Sequence, residues 1–383
     1  MRDLLTGNYA IAEAVRLARV ELIAAYPITP QTPIYEKLSE MDAQGKLAGK
    51  MVRMESEHSS MASLIAASLA GVRTFTATAS QGLALMHEML HFASGARVPV
   101  VMACVNRTMG VPWAFGSDQT DTLSQRDTGW MQFYCENGQE ALDTVIQAYK
   151  IAEQVLFPIM VIIDGFFTSH FMEPVDVPNQ GLIDSYLPQG MVSNRFDTED
   201  PTYIIGVVSP AEYYRLRRNS FNDMELARPV IAAADREYME LTGRGYGVIE
   251  TVNTADAEVV LVTSGAMTST ARVAIESLRQ KGCKAGLLKI KGFRPFPTGE
   301  IRQALAGVPK VAVIDRNISM GKEGIFCQEI RSALCPLEKR SMVQGYIAGI
   351  CGNNVSPETL EEIAIGTLEK DKPEDLPIWV QEE

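Results

Sequence analysis

Short apolar runs that alternate with helix-like stretches are the feature that most constrains the fold of this 383-residue chain. The runs at 20–26, 74–78, 98–105 and 159–164 have the length and composition of buried strands. The stretch 57–69 is rich in Ala, Ser, Met and Leu, which suits a tightly packed helix. Strands separated by helices over such distances are typical of parallel βαβ units. The first part of the chain is therefore predicted to be an α/β domain built on a parallel sheet.

A second α/β pattern begins near residue 257. Strands are predicted at 258–263, 284–289 and 310–315, with a helix at 268–281. This order predicts a second, smaller open parallel sheet.

The stretch between the two patterns, residues 173–254, differs from both in composition. It contains clusters of Pro, Asn, Asp and Tyr, and some helix is predicted near 210–219. Because a structureless connection of this length is uncommon, we expect it to wrap a neighbouring surface or a partner chain. The chain is thus divided into 1–172, an irregular connecting segment at 173–254, and 255–383.

The charge balance excludes some classes of function. The chain has 47 acidic and 35 basic side chains, and its net charge of −12 argues against a nucleic-acid binder, which needs a basic face. No run approaches the ~18 apolar residues of a membrane span. The N-terminus lacks the basic-then-apolar order of a signal peptide, so we expect a cytoplasmic protein that contacts neither nucleic acid nor membrane.

Six cysteines are scattered along the chain without a C-x-x-C pair. Zinc ribbons and iron–sulfur clusters need closely spaced thiolates, because several ligands must converge on one small site. We expect buried free thiols instead. Any iron–sulfur clusters that work with this chain are therefore expected on another chain.

The segment from His87 to His91 matches H-E-x-x-H, the pattern in which two His bind zinc and Glu88 acts as general base. This pattern makes a zinc hydrolase an alternative function. Against it, the chain has only four His and no further ligand motif follows. The apolar residues around the motif favour a core-packed amphipathic helix, and we expect no metal site in this chain.

Two further segments suggest binding chemistry. Ser80 and Gln81 lie between a strand and a helix, where backbone donors and the helix dipole can hold an anion, although a tight turn explains them as well. Arg107 and Asp118 follow the next strand. An Arg at the carboxyl edge of a parallel sheet is a candidate for clamping a carboxylate, whereas most lone Arg residues form surface salt bridges.

Glu57 opens the helix predicted at 57–69. An acidic residue at a helix N-terminus is favoured by the macrodipole alone. The functional interpretation is a carboxylate held at a closely packed interface, with its pKa raised so that it can share a proton with a ring nitrogen.

A series of motifs occurs in order along nearly the whole chain. They are Tyr26-Pro27-Ile28-Thr29-Pro30, Glu55-Ser56-Glu57-His58, Thr78-Ala79-Ser80-Gln81-Gly82, Asn106-Arg107, Arg126-Asp127-Thr128-Gly129-Trp130, Asp164-Gly165-Phe166, Asp315-Arg316-Asn317-Ile318-Ser319 and Gln344-Gly345-Tyr346-Ile347-Ala348-Gly349. Together they resemble the alpha subunit of the 2-oxoacid:ferredoxin oxidoreductases of the pyruvate synthase type.

The resemblance implies a fold and an activity. The first domain would be the pyrimidine-binding half of a thiamine diphosphate site, and the last would resemble the transketolase C-terminal domain. The complete enzyme converts a 2-oxoacid and coenzyme A to acyl-CoA and CO2 and reduces ferredoxin, with the carbanion chemistry supplied by the cofactor. Pyruvate is the implied substrate. A branched-chain or aryl 2-oxoacid, and a nicotinamide acceptor, are the alternatives.

The resemblance also implies roles for single residues. Glu57 matches the family glutamate that hydrogen-bonds the pyrimidine N1′ atom, and Thr29 and Arg107 match residues that contact the substrate. The oxalate-using relatives carry arginine where this chain has Thr29, so an oxoacid with an organic R group is implied. Further contacts are expected from the residues flanking these motifs, namely Pro27, Ile28, Ser80 and Gln81 for the cofactor and Asp118 for the substrate.

One absence indicates a shared site. Thiamine diphosphate enzymes hold Mg2+ and the diphosphate with a G-D-G motif and a later Asn, because the dication prefers hard oxygen ligands. In this chain Ile163, not Gly, precedes Asp164 and Gly165, so the G-D-G motif is missing at this position. Asp164 and Gly165 are more simply explained as a strand end and a turn. The resemblance therefore implies that a beta-type subunit binds the metal and diphosphate, that gamma- and delta-type subunits complete the enzyme with [4Fe-4S] clusters, and that the assembly is a dimer of heteromers.

Overall fold

The computed structural model describes residues 2–189, 195–199, 201, 204 and 206–380. Its strands are β1 (Arg2–Thr6), β2 (Leu22–Ala25), β3 (Lys50–Arg53), β4 (Thr74–Thr78), β5 (Val101–Asn106), β6 (Met131–Tyr134), β7 (Ile159–Asp164), β8 (Met172–Asp176), β9 (Ile249–Val252), β10 (Val259–Thr263), β11 (Ala285–Ile290), β12 (Gly292–Arg294), β13 (Lys310–Asp315), β14 (Met342–Ile347) and β15 (Ile378–Trp379). Its α-helices are α1 (Gly7–Leu17), α2 (Thr32–Ala43), α3 (Glu57–Leu69), α4 (Ser80–Leu85), α5 (His87–Gly95), α6 (Thr120–Leu123), α7 (Gly138–Val155), α8 (Gln180–Tyr186), α9 (Pro210–Thr242), α10 (Met267–Gln280), α11 (Thr298–Ala304), α12 (Ile325–Leu334) and α13 (Pro357–Glu369). Within these residues, every helix is too short or too polar to cross a lipid bilayer.

The first sheet has seven strands in the order β12-β6-β7-β5-β4-β2-β3. All neighbours are parallel except the edge strand β12, which runs antiparallel to β6. Every residue of β4, β5 and β7 is buried. Parallel strands covered on both faces are continuous apolar runs, which explains why the sequence pattern predicted them, and the α/β architecture is confirmed.

The second sheet has six strands in the order β15-β14-β13-β10-β11-β9, with only β9 antiparallel to its neighbour. The strands predicted at 258–263, 284–289 and 310–315 are found here as β10, β11 and β13. The strands β1 and β8 form a separate antiparallel pair, which joins the N-terminal residues to the segment that follows β7.

The two sheets share one apolar core. A single buried cluster contains Met102 and Tyr134 from the first sheet region and Val260 and Phe326 from the second. The strand β12, which follows β11 in the chain, pairs with β6 of the first sheet. The second α/β unit is therefore packed directly against the first.

Buried ion pairs reinforce this contact. The Lys289 ammonium, on β11, lies 2.9 Å from Glu136 and 2.8 Å from Glu140, and Arg272 on α10 donates to both carboxylate oxygens of Glu136. Although burial opposes ionisation, these partners lower the pKa of Glu136 to about 2. A buried carboxylate paired in this way joins α10 and β11 of the second unit to the start of α7.

The segment at 173–254 is less irregular than the sequence suggested. The prediction of helix only near 210–219 was wrong in extent, because α9 continues to Thr242 and ends where Gly243 adopts a φ of +75°. The C-terminal half of α9 buries Ala227, Ile231 and Tyr238, which are spaced so that they lie on one face of the helix. The many polar residues around them hid this apolar face in the sequence. Residues 190–194, 200, 202, 203 and 205 of this segment lie outside the described residues.

Candidate functional site

Three neighbouring strands of the first sheet, β2, β4 and β5, end at the same edge. They are parallel and adjacent in the order β5-β4-β2. The loop at 26–31 follows β2, the start of α4 follows β4, and Arg107 follows β5. Ligands of open α/β sheets bind at such carboxyl edges, so this edge is the candidate site.

Glu57 is buried at the N-terminus of α3, with only 4% of its surface exposed. The preceding residue, Ser56, caps the helix by accepting a hydrogen bond from the Ser59 backbone N–H. Burial raises the pKa of the Glu57 carboxyl above its usual range. A hydrogen bond from its own backbone N–H opposes this shift, and within the described part of the chain no side chain donates to the carboxyl. The carboxyl is therefore available to a ligand.

Because Gly82 has no side chain, the Glu57 carboxyl can lie in the space that a side chain at position 82 would fill. A Cβ atom at Gly82 would overlap the carboxylate of Glu57 and would lie 2.6 Å from the Thr78 hydroxyl oxygen. That hydroxyl is buried without a hydrogen-bond partner. A carboxyl and an unsatisfied hydroxyl thus both lie next to a position that only glycine leaves open.

Replacing Gly82 with alanine is expected to lower the free energy of unfolding by about 1–3 kcal/mol, the usual range for overpacking a filled site. The matched control is Gly95→Ala in α5, where an added Cβ would have nothing within 4 Å. Alanine there is expected to stabilise the helix by up to about 1 kcal/mol. Unfolding of the two variants, measured side by side, checks the packing; equal stabilisation of both would contradict it.

Arg107 connects two other predicted site segments. Its guanidinium donates from Nη1 to the Thr29 backbone carbonyl at 2.7 Å and from Nη2 to the Gln81 side-chain carbonyl. Its centre lies 5.5 Å from the Phe115 ring. The side chain is buried, burial lowers its pKa, and the Nε donor has no hydrogen-bond partner. A buried guanidinium with an unused donor is suited to an anionic ligand.

Ser80 adopts a left-handed backbone with a φ of +48°, which is uncommon for a residue with a side chain. Its hydroxyl donates to the Thr108 carbonyl at 2.5 Å, and its backbone N–H donates to the Asp121 carboxylate at 2.9 Å. These contacts fix the turn that presents Gln81 to Arg107.

Asp121 is a residue that the sequence analysis missed. Its carboxylate also accepts from the backbone N–H of Arg107 at 3.1 Å and from the Asn106 amide. Burial raises the pKa of Asp121 to about 7, against the opposing effect of these donors. It joins the ends of β4 and β5, and no local pattern signals this, because the carboxylate and its partners are brought together only by the fold.

The remaining predicted site residues are less buried than Glu57 and Arg107. Pro27 and Thr29 are exposed and Ile28 is half-buried on the loop after β2. Asp118 is half-buried, and its carboxylate accepts from the Thr120 backbone N–H at 2.8 Å. Burial raises the pKa of Asp118 while Arg316 of the second unit opposes the shift. The structure therefore places Asp118 close enough to Arg316 of the second unit to feel its charge.

The H-E-x-x-H segment begins α5, and its two imidazole rings are in edge contact with centroids 5.0 Å apart. The Nδ1 atom of His87 is hydrogen-bonded to the Gln125 side chain, and Glu88 lies against His58. Among residues 2–189, 195–199, 201, 204 and 206–380, no three His, Cys, Asp or Glu side chains are grouped to hold a metal ion. The zinc hydrolase alternative has no support.

Two family models match the chain. Residues 13–236 match the thiamine-diphosphate-binding domain of pyruvate flavodoxin/ferredoxin oxidoreductases, and residues 257–360 match core domain II of pyruvate:ferredoxin oxidoreductase. The sequence is 43% identical over 378 residues to the pyruvate synthase subunit PorA of Methanothermobacter thermautotrophicus, covering 98% of this chain and 97% of that one. It is 45% identical over 366 residues to the ketoisovalerate oxidoreductase subunit VorA of Pyrococcus abyssi, covering 95% and 93%.

Solved structures support the fold. A 2-oxoglutarate:ferredoxin oxidoreductase from Magnetococcus marinus superposes with a TM-score of 0.74 at 20% identity, covering 96% of this chain and 65% of that one. A split-gene transketolase superposes with a TM-score of 0.55 at 11% identity, covering 95% and 98%. The expected transketolase-like architecture is confirmed. The sequence matches extend along nearly the whole chain, and the chain belongs to the alpha subunits of the thiamine-diphosphate-dependent 2-oxoacid:ferredoxin oxidoreductases.

Proposed function

We propose that this chain supplies the pyrimidine side of the thiamine diphosphate site in an enzyme that decarboxylates pyruvate and forms acetyl-CoA. The observation that carries the proposal is the buried Glu57 carboxyl, which occupies the space that a side chain at Gly82 would fill. The unsatisfied Thr78 hydroxyl next to it suits a polar heterocycle, so the residues present fit the cofactor. When bound, thiamine diphosphate supplies the carbanion that lets a 2-oxoacid lose CO2.

We assign to Glu57 the role of sharing a proton with the pyrimidine ring of the cofactor. Its raised pKa favours the carboxylic acid, which can donate a hydrogen bond to the pyrimidine N1′ atom and so share its proton there. Burial at the helix start keeps water from competing for this hydrogen bond. Pro27, Ile28 and the turn at Ser80 and Gln81 are assigned to the walls of the cofactor site.

Arg107 is assigned to the substrate carboxylate, with Thr29 beside it. The proposal is supported by the unused Nε donor and by the hydrogen bond that ties the guanidinium to the Thr29 carbonyl. The similarity to a pyruvate synthase subunit favours pyruvate, whose R group is small. The similarity to a ketoisovalerate oxidoreductase subunit keeps a branched-chain 2-oxoacid as the second candidate.

We assign Mg2+ and the diphosphate to a beta-type subunit. In this chain the Asp164 carboxylate is already occupied by the Ser117 hydroxyl, the Ala266 backbone N–H and Arg316. The exposure of Pro27 and Thr29 supports a site that another subunit closes. Gamma- and delta-type subunits with [4Fe-4S] clusters, in a dimer of heteromers, would carry electrons to ferredoxin.

The assembled enzyme, supplied with coenzyme A and a dye acceptor, tests this function. We expect kcat/KM to be about 10–200-fold higher for pyruvate than for 2-oxoisovalerate or phenylpyruvate, the range that added methylenes impose in a confined pocket. This chain without its partner subunits is expected to be inactive. A preference for 2-oxoisovalerate would correct the substrate, and no turnover of any 2-oxoacid would reject the function.

A further inference from the structure

Arg316 is a buried residue of the second unit whose role the proposed function does not explain. It directly follows β13, and only 5% of its surface is exposed. Its Nη1 atom lies 3.1 Å from the Asp164 carboxylate at the end of β7, and its guanidinium lies 4.5 Å from the Phe167 ring. Arg316 therefore extends from the second sheet to the carboxyl edge of the first.

Asp164 in turn holds the loop that begins with Arg107. We call residues 107–118, between β5 and α6, the Arg107 loop. Near the end of this loop the Ser117 hydroxyl donates to Asp164 at 2.7 Å, and just after it the Gln119 amide donates at 3.4 Å. The Gln119 backbone N–H also donates to the Arg316 carbonyl at 2.9 Å. Both the side chain and the backbone of Arg316 thus contact the anchor of the loop.

A second turn of the same unit supports the loop from another side. The Gly352 backbone N–H donates to the Ser117 carbonyl at 3.2 Å. Gly116 packs so closely against the Cys351 carbonyl that an added Cβ would overlap it. The loop is also closed on itself, because the Thr108 backbone N–H donates to the Gly116 carbonyl at 3.1 Å. A displacement at Ser117 would therefore be passed to the Arg107 end.

We propose that Arg316 is a positioning residue for 2-oxoacid binding, acting through Asp164 on the Arg107 loop. The proposal rests on the substrate role assigned to Arg107. The Nε and Nη1 donors of Arg316 have no hydrogen bond of good geometry. A buried cation with unmet donors is a poor source of net stability. Its main effect is thus to fix the relative position of the two units at the loop.

The test compares Arg316→Met with Arg272→Met in the assembled enzyme. Both variants remove a cation that joins the second unit to a buried carboxylate of the first, but Arg272 pairs with Glu136, away from the Arg107 loop. Two quantities are measured: the KM for the 2-oxoacid, and hydrogen exchange of the amides at 107–119. Arg107→Ala is included as the reference for loss of the substrate contact.

Arg316→Met is expected to raise the KM about 10-fold, which corresponds to a weakened rather than absent carboxylate contact, with kcat changed less than about 2-fold. Exchange at 107–119 should rise in the same variant. Arg316→Lys should recover part of both effects, because an ammonium can pair with Asp164 but lacks the planar guanidinium. Arg272→Met should change neither quantity.

The outcomes separate the two hypotheses. If Arg107→Ala raises the KM while Arg316→Met changes neither KM nor loop exchange, the positioning role is overturned and the proposed function stands. Equal effects of Arg316→Met and Arg272→Met would also overturn it, since general loosening of the two units would then be the cause. If Arg107→Ala leaves the KM unchanged, the substrate assignment fails, and this role of Arg316 fails with it.

Discussion

Glu57→Gln is expected to lower kcat for 2-oxoacid decarboxylation by about 10²–10⁴-fold, the range of a positioned general acid–base group. Glutamine keeps the size of the side chain and can still donate a hydrogen bond, but it cannot exchange a proton with the pyrimidine. The loss should therefore appear in kcat, while the subunits still assemble. Steady-state kinetics of the assembled enzyme, with cofactor content determined in parallel, measures both.

The matched control is Glu55→Gln, two residues earlier. Glu55 is exposed and hydrogen-bonded to Ser59 rather than buried at the site. Its replacement should leave kcat unchanged. Near wild-type turnover in Glu57→Gln, or an equal loss in both variants, would refute the role assigned to Glu57.

The raised pKa of Glu57 also predicts the sign of a stability change. A carboxyl whose pKa is higher in the folded than in the unfolded protein supports folding at low pH and loses that support as pH rises through the folded value. The carboxyl therefore supports folding less at neutral pH than in acid. The Tm of Glu57→Gln should equal or exceed that of the wild type at pH 7, and the difference should shrink in acid, which separates lost chemistry from lost folding.

Arg107→Ala is expected to lower kcat/KM about 30–1,000-fold, mainly through KM, because removing one partner of a buried charge pair costs about 2–4 kcal/mol. Cofactor affinity should change little, since the assignment gives Arg107 to the substrate carboxylate. Kinetics over a range of 2-oxoacid concentrations, together with a thiamine diphosphate titration, distinguish these effects.

The control for this variant is Arg215→Ala, which removes an exposed guanidinium paired with Glu212 on the same face of α9. No kinetic change is expected there. If Arg107→Ala weakened cofactor binding and left the KM for substrate unaltered, Arg107 would belong to the cofactor site instead.

The sequence predicted the central strands of both sheets because their signal is local, and it missed the strands toward the edges, β3, β6, β9, β12, β14 and β15. The runs that became β4, β5 and β7 are buried on both faces, so nearly every residue in them is apolar or small. The helix α9 was predicted poorly for the opposite reason. Much of its surface is exposed and polar, its buried stripe is narrow, and Pro229, a residue type that usually ends helices, lies within it.

The candidate site shows the same division. Glu57, Arg107 and Gln81 lie at strand and helix ends that the motifs located, and the fold brings Arg107 into contact with Gln81. Asp121 and Arg316 could not be assigned from the motifs, because their roles depend on partners that are distant in the chain. The H-E-x-x-H segment is the converse case, in which a local pattern matched and the tertiary surroundings provide no further ligand among the described residues.

The amino-acid order alone determined the two α/β units, the family and the motif residues, since periodicity and local signatures do not depend on what they pack against. The tertiary structure alone decided that Gly82 leaves room for the Glu57 carboxyl, that Arg107 is held by the loop after β2, and that the second unit supports the Arg107 loop through Asp164. These contacts join residues far apart in sequence, and their distances are set by the packing of two sheets around a shared core.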